Sequence, residues 1–482
     1  MKSTLRIAFV LSLTMFFNSC RVTTEPVTSE LEVPKAYTNN RNDTTNIGLL
    51  PWTVFHKDSS LLEYISAALK TNLDLKAADQ TAKLSRAEWM AVKRNFLPMV
   101  GAEIGGDITK FGEYTMDGVG NDDTNKSETL PNDKRLPSPY REFFGGLTFG
   151  WELDIWGKLS SQRKAALARY MASREFKHGV TTWLVGEVAS NYYELIGLDY
   201  EKQVLEQNLE LQQLELEMIR IQKLGGNVNQ LAVDQFEAQL LNTKEQLIGV
   251  EQSIIQAEAR LNELLGRFPT TLPRTSINNI DVITAASTGH PETLLKHRPD
   301  IRQAELELAA TSADVDAAKA AFYPSLTILG GVGVSSFDAS KLLSPGSVVH
   351  NLAAGVSAPI FHQKRIRALY EGATARQRLA LVNYEKAVLS SFHEVYTTIN
   401  AFENLQKQID LKQQEAEVVN RAFQNSNELF KVGYATYLDV ITVQKRLLEV
   451  ERELARLKKE KLKMRALLYR ALGGGWQAGT DE

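Results

Sequence analysis

The chain has 482 residues, a formal net charge of −3, 23% charged residues and 8% aromatic residues. That length is enough for about three average domains, and the balance of charge gives no basic excess to favour nucleic acid as a partner. The single cysteine, Cys20, rules out a disulfide within the chain and a Cys-based metal site, and the seven histidines show no zinc-type spacing, so neither metal nor cofactor is read.

Residues 1–19 carry a charged start, Met1-Lys2-Ser3-Thr4-Leu5-Arg6, an apolar run from Ile7 to Phe17, and then Asn18-Ser19 before Cys20. This is the pattern of a secretory signal peptide. A lone Cys just past it fits a lipoprotein box, with cleavage before Cys20 and lipidation of its thiol; Phe17 departs from the usual Leu of that box. The competing reading is an ordinary signal peptide with an incidental Cys. Residues 20–60 then form the lipidated N-terminus and a tether, polar and without periodicity up to residue 46. No later stretch reaches 18 apolar residues, so no helix crosses a membrane and any further membrane contact goes through strands.

Four runs alternate with period two. Val100, Ala102, Ile104 and Ile108 oppose Gly101, Glu103, Gly105, Asp107 and Thr109; Leu147, Phe149, Trp151, Leu153 and Ile155 oppose Gly146, Thr148, Gly150, Glu152 and Asp154. In the later half, Leu326, Ile328, Val332 and Val334 oppose Ser325, Thr327, Gly331 and Gly333, and Leu352, Ala354, Val356, Ala358 and Ile360 oppose Asn351, Ala353, Gly355, Ser357 and Pro359. Runs of about ten residues suit tilted strands crossing a bilayer, with one face to lipid and one to a watery lumen. Glu103, Asp107, Glu152 and Asp154 then face the lumen and favour cations. A soluble antiparallel sheet with one wet face gives the same alternation. Four strands cannot close a barrel, since the smallest have about eight, so several chains must share one: two would supply eight strands and three would supply twelve. The segment 113–142 reads as a long loop between strands.

No proline lies between Pro139 and Pro269 or after Pro359. Proline breaks helix interiors, so both tracts can run as long helices, and 157–224 alone would reach roughly 100 Å. The a and d positions read Val233, Phe236, Leu240, Thr243, Leu247, Val250, Ile254, Ala257, Leu261, Leu264 in the first half. The second half reads Val440, Val443, Leu447, Val450, Leu454, Leu457, Lys461, Met464, Leu468, Ala471 in the same register, with a second seam at Ile441, Leu448, Ala455 and Leu462. Adjacent seams let a helix touch neighbours on both sides. The charge run Lys458-Lys459-Glu460-Lys461 reads as a solvated face.

These elements repeat. Phe96-Leu97-Pro98 matches Phe322-Tyr323-Pro324, Gly226 matches Gly433, and Gly266 matches Gly473 at the same offset. A unit this long is a duplicated half-protein rather than a solenoid repeat. The expected organisation is a signal peptide over 1–19, a tether over 20–60, a first repeat over 61–265, a linker over 266–290, a second repeat over 291–473 and a tail over 474–482. Nothing gathers acid, base and nucleophile into a site, so no enzyme is read; His393-Glu394 and Asp300-Ile301-Arg302 read as helix surface and helix start.

Leu294-Leu295-Lys296-His297-Arg298-Pro299-Asp300-Ile301-Arg302-Gln303-Ala304-Glu305, running on to Ala317-Ala318-Lys319-Ala320-Ala321-Phe322-Tyr323-Pro324, resembles the most specific motif of the TolC-like outer-membrane factors, in particular efflux lipoproteins of the NodT type. Trp52, Phe55, Asp58, Leu61, Ala68-Leu69 and Asn72, and then Trp151 to Gly157, are similar to further family segments. The resemblance covers roughly residues 50 to 475. It implies a mainly α protein with a membrane β-barrel: a homotrimer sharing one twelve-stranded barrel in outer-membrane lipid, with a long α-helical tunnel in the periplasm. It also implies an exit duct for small molecules, working with a periplasmic adaptor and an inner-membrane RND-type transporter. The family's periplasmic constriction falls on Phe430, Lys431, Tyr434, Tyr437, Leu438 and Asp439, beside the Gly433 turn. The family's acidic position one turn on is Thr442 here, with Asp439 or Asp234 as candidate substitutes. Packing of Leu438 into the heptad seam is the bland alternative. A stand-alone porin and a periplasmic coiled-coil scaffold are the competing functions.

Overall fold

The computed structural model describes residues 24, 27–34, 36–37, 46–277, 289–361 and 363–477. The signal peptide, Cys20 and most of the tether lie outside the described residues, as does residue 278–288 of the linker. After short helix α1 (Trp52–Phe55), each half runs through one series of elements. The first is α2 (Ser59–Thr71), α3 (Leu73–Arg94), β1 (Met99–Thr109), a short α4 (Met116–Lys126), β2 (Tyr140–Leu153), α5 (Lys158–Leu224) and α6 (Gln230–Leu264). The second is α7 (Glu292–His297), α8 (Pro299–Ala320), β3 (Ser325–Ser336), β4 (Val348–Ser357), α9 (Gln363–Lys431) and α10 (Tyr437–Ala471). The proline-free tracts are therefore α5 and α9, of 67 and 69 residues. The duplication extends to the caps: Asn229 and Thr436 stand at matching places before α6 and α10, and each accepts a hydrogen bond from a first-turn N–H.

The chain divides into two units. Among the described residues, one is built mainly from 85–170 and 307–380 and holds a four-stranded sheet in the order β1-β2-β3-β4, antiparallel throughout. Leu147 pairs with Ala102 on one side and Val332 on the other, so the apolar residues of the runs fall on one face as alternation predicts. β2 starts earlier than the sequence suggests: Tyr140, Arg141 and Glu142 belong to it, and the expected loop is further shortened by α4.

The other unit comprises residues 29–84, 171–306 and 381–482. Its main core joins Leu184, Val188, Tyr192, Leu195 and Ile196 of α5 to Leu61, Ile65 and Ala68 of α2, Leu261 of α6, and Leu462, Ala466 and Tyr469 of α10. Phe55 stacks on Tyr469 with centroids 4.1 Å apart. The heptad positions Val233, Phe236, Leu240, Val250, Leu261, Val440, Leu447, Val450 and Leu468 are all buried. The charge run on α10 is not a uniformly solvated face. Lys459 pairs with Glu194 at 2.6 Å, and Lys461 is buried, donating to Gln406 and lying 5.5 Å over the Phe402 ring. Long aliphatic stems let lysine occupy such seams while the ammonium reaches a partner. Glu394, expected on a helix surface, instead holds Arg298 at 2.8 Å, and Arg298 also donates to the Ala471 carbonyl at 2.7 Å. This ties the start of α8 to the end of α10. The Arg-Pro-Asp part of the motif thus serves as a structural clamp.

Candidate functional site: the sheet faces and the helix-tip turns

The apolar face of the sheet has no covering element among the described residues. Ile104 is 89% exposed, and Val100, Ile108, Leu352 and Val356 are exposed with it. A soluble sheet would bury this face against a core, whereas an uncovered apolar face of this size marks contact with membrane or protein. β1 and β4 are edges with unpaired backbone groups, a state that costs several kcal/mol per group in lipid. Trp151 Nε1 donates to the Phe96 carbonyl at 2.9 Å and Trp156 Nε1 to the Pro324 carbonyl at 2.7 Å, anchoring aromatic rings at one end of the strands.

The opposite face is lined by small residues: Gly101, Gly146, Thr148, Gly331, Gly333 and Gly355 among them. Glu103 and Asp107 belong to this face. The pairing adds Glu142, which the sequence reading missed, directly across from Asp107. Two facing carboxylates would repel, but hydroxyls hold each: Thr109 donates to Asp107 at 2.7 Å and Ser335 donates to Glu142 at 2.8 Å. Glu152 also lies on this face, with its charge compensated by Lys158 at 2.8 Å. Asp154 is a correction. It follows the last residue of β2, and its carboxylate accepts the N–H groups of Leu159 at 2.8 Å and Ser160 at 2.9 Å. It caps α5, where a helix N-terminus favours an anion, and is not a strand residue of the polar face.

The second candidate region is the pair of turns joining α5 to α6 and α9 to α10. Gly226 and Gly433 have φ of 76° and 80°. The Gly226 and Asn227 N–H groups bond the carbonyls of Lys223 and Gln222; those of Gly433 and Tyr434 bond Phe430 and Leu429. Each is a Schellman stop, and glycine suits the left-handed position it requires. After the second turn, Thr436 accepts from the Asp439 N–H, while the Asp439 carboxylate accepts from the Thr436 N–H at 2.8 Å and its hydroxyl at 2.6 Å. Those bonds hold the Asp439 carboxyl below its ordinary range.

The proposed constriction residues do not act as one group. Phe430 and Tyr437 pack against a buried cluster of Leu216, Ile219, Val233 and Phe236, so they brace the tip. Leu438 is 54% exposed, outside the seam in this chain. Tyr434 is also exposed. Lys431 pairs with Glu428 at 2.8 Å, and Asp234 accepts from Gln230 at 2.6 Å; both pairs are on the surface. Asp439 is occupied as a cap. Among the described residues no cluster of His, Cys, Asp and Glu is arranged to hold a metal.

A family model described as outer membrane efflux protein matches residues 64–267 and 290–474. The cation efflux system protein CusC of Escherichia coli O6:H1 (strain CFT073) is 28% identical over 453 residues, covering 93% of this chain and 94% of that one. The pyoverdine export outer membrane protein OpmQ of Pseudomonas putida (strain KT2440) is 32% identical over 433 residues, covering 89% of this chain and 88% of that one. The open-state structure of the MtrE outer membrane channel of Neisseria gonorrhoeae matches with a TM-score of 0.83 at 25% identity, covering 96% of this chain and 100% of that one.

Proposed function

The chain belongs to the outer membrane efflux protein family, and on that premise we propose how its surfaces make an exit duct. The protein is an outer-membrane efflux channel of a tripartite pump, with four strands per chain contributing to a twelve-stranded trimeric barrel and long helices forming a periplasmic tunnel. The observation that carries the reading is the sheet with an uncovered apolar face and two open edges. Three copies join β1 of one chain to β4 of the next, which removes every edge from lipid. The small-residue face lines the lumen. Glu103, Asp107 and Glu142, repeated three times, give it a negative field that favours cations. The tip turns narrow the periplasmic mouth, with Leu438 as the apolar ring that closes by dewetting.

The partners in this reading are a periplasmic adaptor and an RND-type inner-membrane transporter, which pass drugs or other small molecules to the duct. Cys20 carries the lipid that holds the N-terminus in the outer membrane. The relatives named above are a cation efflux system protein and a pyoverdine export protein; in this reading the inner-membrane transporter selects the cargo. Detergent extracts of outer membranes test the reading. A heat-sensitive trimer that conducts rarely, and prefers cations when it opens, is the expected result. A protein that leaves the membrane as monomers once its lipid anchor is removed would be a scaffold instead, and a permanently open trimer would be a porin.

A further inference from the structure

Helices α5 and α10 meet along the second unit, and their polar contacts follow one antiparallel register. Glu194 holds Lys459 and Lys463, each at 2.6 Å, and Glu201 holds Arg452 at 2.7 Å. Towards the tip turns the chemistry changes. Asn208 donates to Glu451 at 3.0 Å, and one heptad on in each helix Gln444 donates to Glu215. These two rungs pair a carboxyl with an amide, and among the described residues no cation neutralises either.

The Glu215–Gln444 rung and its surroundings are also incompletely bonded. Gln212, one turn before Glu215 on the same helix, is 2% exposed, and neither atom of its amide has a hydrogen-bond partner. Gln444 is 1% exposed, and its Oε1 is unpartnered. An ionised carboxylate can only accept, so it leaves both amide oxygens unsatisfied. A protonated carboxyl adds an O–H donor, which a buried amide oxygen can accept. An unmet buried polar atom is costly, and the protonated carboxyl, which gains a donor and keeps an acceptor oxygen, meets one more of them than the ionised form does.

We propose that the Glu215–Gln444 and Asn208–Glu451 rungs form a proton-operated latch between the two repeats, tightening the α5–α10 seam beside the tip turns when the carboxyls are protonated and loosening it when they ionise. The latch regulates the mouth of the duct and rests on the channel reading above.

The surroundings support this assignment. Charged groups on the neighbouring helices are engaged elsewhere or exposed. Glu237 of α6 pairs with Arg220 of α5, and Glu251 of α6 pairs with Lys202. Glu415 of α9 holds Lys412 and Arg446. Lys244, Glu245 and Lys445 are exposed. Burial first, and then the nearby Glu451 charge, raise the Tyr200 hydroxyl of α5 above its ordinary range. Burial pushes the Glu215 carboxyl up to about 7 against the hydrogen bond from Gln444, and burial likewise raises Glu451 against its bond from Asn208. The folded seam therefore keeps its proton to higher pH than an unfolded chain does. Its contribution is full below the ordinary glutamic value of 4.5 and is lost as pH rises through about 7.

Hydrogen-exchange mass spectrometry of the full-length trimer in detergent tests the latch. After correction for intrinsic rates, segments around Glu215 and Gln444 should lose protection about tenfold between about pH 5 and about pH 8. Glu215→Gln, isosteric and neutral at every pH, should keep the acid level of protection throughout, and Glu451→Gln should flatten part of the slope. A wild type without a pH slope, or a Glu215→Gln protein with the wild-type slope, overturns the proposal. Bilayer recordings serve as the separate check: opening should become more frequent with rising pH in the wild type and not in Glu215→Gln. A protein that conducts under no condition overturns the channel reading, while exchange still decides the latch.

Discussion

At the first tip turn the chain reads Lys223-Leu224-Gly225-Gly226-Asn227 and enters α6 through Asn229-Gln230-Leu231-Ala232; at the second it reads Phe430-Lys431-Val432-Gly433-Tyr434 and enters α10 through Thr436-Tyr437-Leu438-Asp439. The backbones match in φ, in the Schellman bonds and in the side-chain cap. Leucine stands at the same place in both, with Leu231 55% and Leu438 54% exposed. Around it the surfaces diverge. Lysine, asparagine and glutamine in the first turn become Phe430, Tyr434 and Tyr437 in the second, and Ala232 becomes the capping Asp439. Backbone geometry depends on glycine and a cap at two positions, so it survives when the side chains between them change. One copy of the turn is thereby free to become the bulky, aromatic one without altering the path of the chain.

The largest test of this comparison concerns the core that both turns rest on. Phe236 belongs to the first repeat but packs in the cluster that also receives Phe430 and Tyr437. Phe236→Ala should cost about 3–5 kcal/mol and loosen both turns together in hydrogen exchange. Loosening confined to the first turn would separate their cores. A smaller effect is expected at the glycines. No atom approaches the place where a Cβ would sit on Gly226 or Gly433, so only the left-handed backbone is at stake. Gly226→Ala and Gly433→Ala should each cost about 1–2 kcal/mol, equally within error, in thermal unfolding of the trimer. A clearly unequal pair would show that the turns differ in backbone as well as in surface.

Much of the architecture was legible because it is periodic. The heptad from Val233 to Leu264 and the alternation from Leu147 to Leu153 each repeat a geometric rule often enough to fix a face. Reading failed where a period ran past its element. Alternation continues to Asp154, yet β2 stops at Leu153 and the next helix takes the carboxylate as its cap. It failed also where a period was interrupted: Phe143 and Phe144 sit side by side, which hid the strand before Gly145 and with it Glu142. Gln444 follows Val443 in the seam and looks like a surface residue, but two adjacent seams bury it, and only packing reveals the carboxyl across from it. Lys461 falls both in the heptad seam and in a charge run, and packing keeps the seam position; charge in a sequence carries no record of a partner in a distant helix.

Single-channel conductance of the Leu438→Ser trimer, recorded beside Leu231→Ser, decides which turn holds the gate. Both leucines are exposed on matching turns, and in the proposed duct only the second forms the closing ring. Leu438→Ser should raise conductance several-fold while leaving trimer melting unchanged, because an exposed leucine contributes little to folding and an apolar ring controls dewetting. Leu231→Ser should leave conductance near the wild-type level. Early melting of Leu438→Ser with unchanged conductance would place Leu438 in the packing between chains. An opening by Leu231→Ser as large as that by Leu438→Ser would contradict the assignment of the gate to the aromatic turn.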